Sequence, residues 1–182
     1  MAAAPRRWAA DLLYFWFHEL SPADWWGGSP ALDARIARRF GGDLAMLRTR
    51  WASEFLSDPL TARAAILLFD QVPRNVHRGT AEAFATDPLA RAIARGAMAK
   101  GWHLGLPDRE RAFVGMPLMH SEGIADQRAS LAFFRTIPAN FGFARDHWRM
   151  IARFGRFPHR NPILGRRSTA AEKAAVAAGN AW

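Results

Sequence analysis

Cysteine is absent from the 182 residues. That removes disulfide frameworks, thiolate zinc sites, iron–sulfur clusters and cysteine nucleophiles together. Lysine is nearly absent as well: Lys100 and Lys173 are the two, so the basic residues are otherwise arginine. Generic nucleic-acid and membrane patches mix both cations in local runs, and here the longest pure runs are pairs such as Arg38-Arg39 and Arg166-Arg167. No apolar run approaches the ~18–20 residues of a membrane span. Arg6-Arg7 ahead of an apolar stretch has the look of an export signal, but Asp11 interrupts that stretch, His18 and Glu19 close it, and no cleavage site follows. The chain therefore reads as cytoplasmic. No nucleotide-binding glycine loop is present, and no segment alternates apolar and polar residues with period two.

What is present is apolar and cationic. Half the residues are hydrophobic, with 13 Phe and 8 Trp, which is too much apolar surface for a solvated coil. The length suits one domain, which buries roughly 70% of its unfolded surface and needs no metal or disulfide staple. Basic residues outnumber acidic ones 25 to 16, a formal net charge of +9. Between Arg145 and Arg167 arginines face Asp146 alone, and Arg145, Arg149 and Arg153 fall on one helical face. An anion-binding stripe and an arginine-biased solvated face both fit that pattern, and the solvated face is the preferred reading.

Helix starts are explicit. Ser29-Pro30, Asp58-Pro59 and Asp87-Pro88 each place a capping side chain before a proline at the first helical position. Thr169-Ala170-Ala171-Glu172 is a capping box. Apolar residues between these starts follow helical spacing, as in Ala62, Ala65, Ile66 and Phe69. We expect an all-α chain with helices over 7–20, 30–40, 43–56, 59–71, 88–100, 108–120, 123–136, 140–154 and 169–178. Short connections imply antiparallel hairpins in a single domain over 1–165. The alanine-rich segment 166–182 is expected to pack loosely. Ser57-Asp58-Pro59-Leu60 and Thr86-Asp87-Pro88-Leu89 resemble each other, which fits a weak repeat or two copies of one helix start. Trp25, Trp26, Phe133, Phe134, Phe141, Phe143 and Trp148 are read as core.

Three stretches carry polar residues where a plain bundle has short turns. In Asp70-Gln71-Val72-Pro73-Arg74-Asn75, Pro73 is expected to stop the helix, leaving Arg74 and Asn75 on the loop past its C-terminus. Arg74 then reads either as a helix-end cation or as a bidentate donor to carboxylate or phosphate. In Pro117-Leu118-Met119-His120-Ser121-Glu122, His120 and Glu122 flank Ser121, the expected N-cap of the next helix, with Gln127 a turn further on. A His–Glu couple on a break can do acid–base work, but two ligands are too few for a metal site, and none is expected. No glycine elbow surrounds Ser121, which argues against a nucleophile. In Arg153 to Pro162, Gly155 reads as a left-handed helix terminus, and prolines 158 and 162 hold His159, Arg160 and Asn161 in one presentation.

Together these residues resemble a bacterial family catalogued as domain of unknown function 924. The resemblance is carried by Leu67 to Asn75 with Arg78-Gly79-Thr80 and Ala83 to Asp87. Pro117 to Glu122 with Ala125-Asp126-Gln127, and Phe154 to Asn161 with Ile163-Leu164-Gly165, carry it further. It covers about residues 11–175. Val72 stands where an aromatic is expected and Gly123 where an acidic residue is expected. The resemblance implies a tetratricopeptide-like right-handed superhelix of eight or nine helices, and no activity or cofactor comes with it.

The first functional expectation is a pocket for a small anion, phosphate or carboxylate, lined by Gln71, Arg74, Asn75, Gln127, His159, Arg160 and Asn161. His120 and Glu122 would supply proton transfer there. The second is a scaffold cupping a peptide, and nucleic-acid binding through the Arg145–Arg167 face ranks last. No cofactor is expected. A structural alternative stands beside all of these: Arg74 and Arg160 paired with Asp70, Glu122 or Asp126 in a buried network.

Overall fold

Capping chemistry sets most of the boundaries. In the computed structural model, which describes residues 7–180, α1 (Arg7–Tyr14) runs into a π-helical turn (Phe15–Glu19), followed by α2 (Pro22–Gly27) and α3 (Pro30–Leu47). Then come α4 (Pro59–Asp70), α5 (Val72–Val76), α6 (Asp87–Ala99), α7 (Asp108–Met119), α8 (Ile124–Phe134), α9 (Pro138–Phe154) and α10 (Ala170–Ala177). Three 3-10 turns lie at Ala52–Phe55, Ala81–Phe84 and Pro158–Arg160. Every regular element among the described residues is helical, so the all-α expectation holds. Arg6 of the arginine pair and residues 181–182 of the C-terminal segment lie outside the described residues.

Ser29 and Asp58 accept the N–H groups of Leu32 and Thr61, so α3 and α4 begin as their sequences predict. Thr169 and Glu172 form the reciprocal box of α10, and Gly155 ends α9 at φ +69°. Other expectations need correction. The two helices expected over 30–40 and 43–56 are one, because Leu32, Ile36, Phe40 and Leu44 form a continuous buried stripe across Gly41-Gly42. Packing of that stripe outweighs the roughly 1 kcal/mol that each helical glycine costs. Pro73 does not release the chain into a loop but lies in the first turn of α5, where its missing N–H is not needed. Ser121 does not cap α8; Gly123 holds that position, while Ser121 Oγ accepts from Gly123 N and donates to Asp126. Asp87 makes no cap either, since Thr86 precedes α6 and its hydroxyl donates to the Phe69 carbonyl.

The core is one aromatic-rich cluster that includes Phe15, Trp16, Phe40, Phe69 and Phe134. Helix α4 is buried on every side from Ala62 to Asp70 except at Arg63, packing against α1, α6 and α7. Of the aromatics expected in the core, Phe134 is buried and Trp25, Phe133, Phe141 and Trp148 are half-buried. Trp26 and Phe143 are exposed, so those two are corrected. Trp26 nonetheless stacks flat on Phe113 at 6.0 Å. A smaller cluster of Met150, Ile151, Phe157 and Ala175 joins α9 to α10. No helix among the described residues is long and apolar enough to cross a membrane.

Candidate functional site

The buried C-terminal end of α4 delivers Asp70 into the interior with no solvent exposure at all. A carboxylate at a helix C-terminus faces the negative end of the helix dipole, so its neighbours must compensate. His120 Nδ1 lies 2.9 and 3.0 Å from the two Asp70 oxygens, and Gln71 Nε2 donates at 2.6 Å. Arg74 Nη1 donates to the Asp70 carbonyl and stands 3.5 Å from its carboxylate. Burial alone would raise the Asp70 carboxyl, but Arg74 and His120 overcome it and hold the group well below the usual carboxylate range. An ionised carboxylate only accepts, so His120 Nδ1 carries the hydrogen of this contact. This is an Asp–His dyad, with Asp70 in the place expected of Glu122.

Arg74 does not stop at Asp70. Its guanidinium grips Asp87 with two parallel bonds of 2.9 and 3.1 Å. Burial would depress Arg74, yet Asp70 and Asp87 raise it above its ordinary value. Glu122 is bound elsewhere: Arg166 donates to both its oxygens at 2.7 and 2.9 Å, and the Phe157 N–H donates at 2.8 Å. Half-buried, the Glu122 carboxyl is nevertheless lowered by Arg166 and Phe157. No hydrogen bond joins Glu122 to His120 among the described residues, so Glu122 anchors the Phe157 loop.

Arg160 sits differently from its neighbours. Its side chain is 8% exposed, packed with Phe84 at 4.5 Å and Phe157 at 4.6 Å from the ring centroids. Among the described residues its nearest carboxylate oxygen is Asp87 Oδ2 at 3.8 Å, beyond hydrogen-bond range and already held by Arg74. Nε is buried without a partner, and no guanidinium N–H makes a hydrogen bond among the described residues. Burial and the charge of Arg74 push Arg160 down to about 10.

Two further imidazoles close the group. His147 lies on the buried face of α9, donates Nδ1–H to the Phe143 carbonyl at 2.8 Å, and places its ring 6.2 Å from His120. Burial and the nearby His120 push His147 down to about 3, so it is neutral. His159, tilted 5.7 Å from the Phe157 ring, is pushed down to about 4 by burial and Arg160. No group of three His, Asp or Glu with metal-holding geometry occurs among the described residues.

Several expected ligand residues face other tasks. Asn75 donates to the Gln71 carbonyl and accepts from Arg78, within and beside α5. Gln127 is fully buried and donates to the carbonyls of Met119 and Ser121, fastening α8 to the end of α7. Asn161 donates to Ser168. Gln71 supports Asp70, while Arg74, His120, His159 and Arg160 do come together. The exposed Arg145 and Arg149 share Asp146, and the exposed Arg153 lies over Phe154, so that stripe is a solvated face. Asp87, Phe84, His147 and Arg166 also shape the site. Asp87 was hidden behind a capping pattern, and the signal for His147 was its place among Ala144, Met150 and Ile151.

Fold and site thus define an all-helical protein with a buried Arg–Asp–His network where α4, α6, α7 and α9 meet. The model of the bacterial family of unknown function DUF924 matches residues 12–180, and the chain belongs to that family. It is similar to the solved structure of the protein of unknown function ATU0120 from Agrobacterium tumefaciens. The two are 34% identical with a TM-score of 0.90, over 95% of this chain and 98% of that one. No curated protein matches it.

Proposed function

We propose that the protein binds a small anion, a phosphate or a carboxylate, against Arg160, with His120 as the adjacent proton acceptor. The observation that carries this reading is the buried Arg160 guanidinium, which makes no hydrogen bond among the described residues. A guanidinium presents five donors in a fixed fork, and leaving them unmet in the interior is costly. Two oxygens of a carboxylate or a phosphate meet them in pairs. The Asp70–His120 dyad supports proton exchange with such a ligand, because Asp70 holds Nδ1 and orients the ring, leaving Nε2 as the exchanging nitrogen. His147 and His159 are neutral neighbours that bring no competing charge.

The test is a thermal-shift panel of phosphate, sulfate, sugar phosphates, nucleotides and dicarboxylates at constant ionic strength, on the native chain and on Arg160→Met. A ligand at a hundred times its Kd adds about 2.7 kcal/mol, which moves the midpoint by several degrees. At least one anion is expected to stabilise the native chain and not the variant. A flat panel, or equal shifts in both proteins, overturns the reading.

A further inference from the structure

A concavity lies away from the buried network, between α6, α7 and α8 and beneath the loop that joins α6 to α7. Its volume is about 530 Å³, within the ~300–1,000 Å³ of small-molecule sites. The walls are apolar: Met98 from α6, Leu104 from the loop, Leu118 from α7 and Phe133 from α8. Phe133 rests directly on the α7 backbone, since a Cβ at Gly115 would stand 2.6 Å from its ring. That close approach fixes the aromatic wall rather than leaving it to move. Leu104 is 68% exposed at the opening, an apolar side chain left in water.

Cations stand at the edge of this apolar space. Arg111 is held in place by Nη2, which donates to Asp108 and to the Thr136 carbonyl, each at 2.7 Å. Its Nε is buried without a partner, and Nη1 makes no hydrogen bond among the described residues. Arg95 also lines the space but is already paired with Asp126. His103 tilts against Phe133 with ring centroids 5.4 Å apart, and its Nδ1 is buried without a hydrogen bond. Burial and the charge of Arg111 hold His103 below its ordinary value, so its ring extends the apolar wall rather than adding a cation.

We infer that this cavity is a binding site for an amphipathic monocarboxylate, its apolar body against Met98, Leu118 and Phe133 and its carboxylate on Arg111. The pairing of a dry wall with one anchored, partly unmet guanidinium selects such a ligand over a neutral or cationic one. A ligand with the same tail and a positive head meets Arg95 and Arg111 with like charge, which suppresses binding. This site is independent of the Arg160 site, so either can fail alone.

The experiment is calorimetric titration of the full chain with decanoate, with decanol and decyltrimethylammonium as controls at matched ionic strength. Two variants accompany it. Arg111→Met removes the anchor, and Ala132→Trp fills the cavity from the exposed side of α8 without cutting the tie from Arg111 to Thr136. Decanoate is expected to bind the native chain at least tenfold more tightly than either control. Arg111→Met is expected to weaken it at least tenfold, and Ala132→Trp to abolish the heat while the thermal midpoint stays within a few degrees. No heat with decanoate, equal affinity for decyltrimethylammonium, or unchanged binding to a folded Ala132→Trp overturns the assignment.

Discussion

Arg74 and Arg160 occupy one charged cluster, and the hydrogen bonds that each makes separate their roles. Arg74 ties the end of α4 to the start of α6 through Asp70 and Asp87. Removing it strands two acidic groups, one of them wholly buried, and breaking a buried pair from one side costs ~3–5 kcal/mol. The Arg160 guanidinium makes no hydrogen bond among the described residues, and its central carbon lies over the rings of Phe84 and Phe157. Replacing such a charge by an apolar side chain of similar length is often neutral or stabilising. Urea denaturation is therefore expected to show Arg74→Met destabilised by ~3–5 kcal/mol and Arg160→Met within ~1 kcal/mol of the native chain or above it. Equal losses in the two variants would make Arg160 another structural tie.

At the scale of elements, two Asp-Pro starts that look alike in sequence do different work. Asp58 caps α4, accepting from the Thr61 N–H at 2.9 Å. Asp87 occupies the first turn of α6, gives up the cap to Thr86 and receives Arg74 instead. Asparagine caps about as well as aspartate, so the cap survives Asp58→Asn and that substitution should cost less than Asp87→Asn. Asparagine cannot neutralise Arg74, so Asp87→Asn should cost ~3 kcal/mol or more, read from the same urea midpoints. Similar costs for the two substitutions would refute the division of labour. The pair also shows what the sequence made legible. Caps, the left-handed Gly155 and the helical class depend on residues within a turn of one another, and the chain states them locally. The site joins Arg74 to Asp87 over 13 residues, Asp70 to His120 over 50 and Glu122 to Arg166 over 44. Each of those partners has an equally good local explanation, so the motifs marked the place and tertiary packing chose the pairs. Glu122 was matched to His120 by proximity in sequence, whereas the buried end of α4 put Asp70 there.

For the molecule as a whole, the buried imidazoles couple the site to global stability. His147 and His159 are pushed down to about 3 and about 4 in the fold, mainly by burial, while in an unfolded chain histidine titrates near 6.5. Between those values the unfolded chain binds more protons than the native one, so stability rises with pH over that window. The contribution is whole above about 7 and is eroded as pH falls through 6 and 5. Below about 4 a second loss begins, because Asp70 and Glu122 are also depressed in the fold and their pairing with His120, Arg74 and Arg166 is undone by protonation. Urea midpoints are thus expected to fall steadily from pH 7.5 to pH 5, before ordinary carboxylates titrate. His147→Leu keeps the ring's apolar neighbour Phe157 covered and removes one proton acceptor, so its midpoint should fall less over the same range. A native chain whose midpoint is flat or rising on acidification from 7.5 to 5 would mean that these imidazoles already share their protons with solvent. The site would then be open to water where the geometry places it inside.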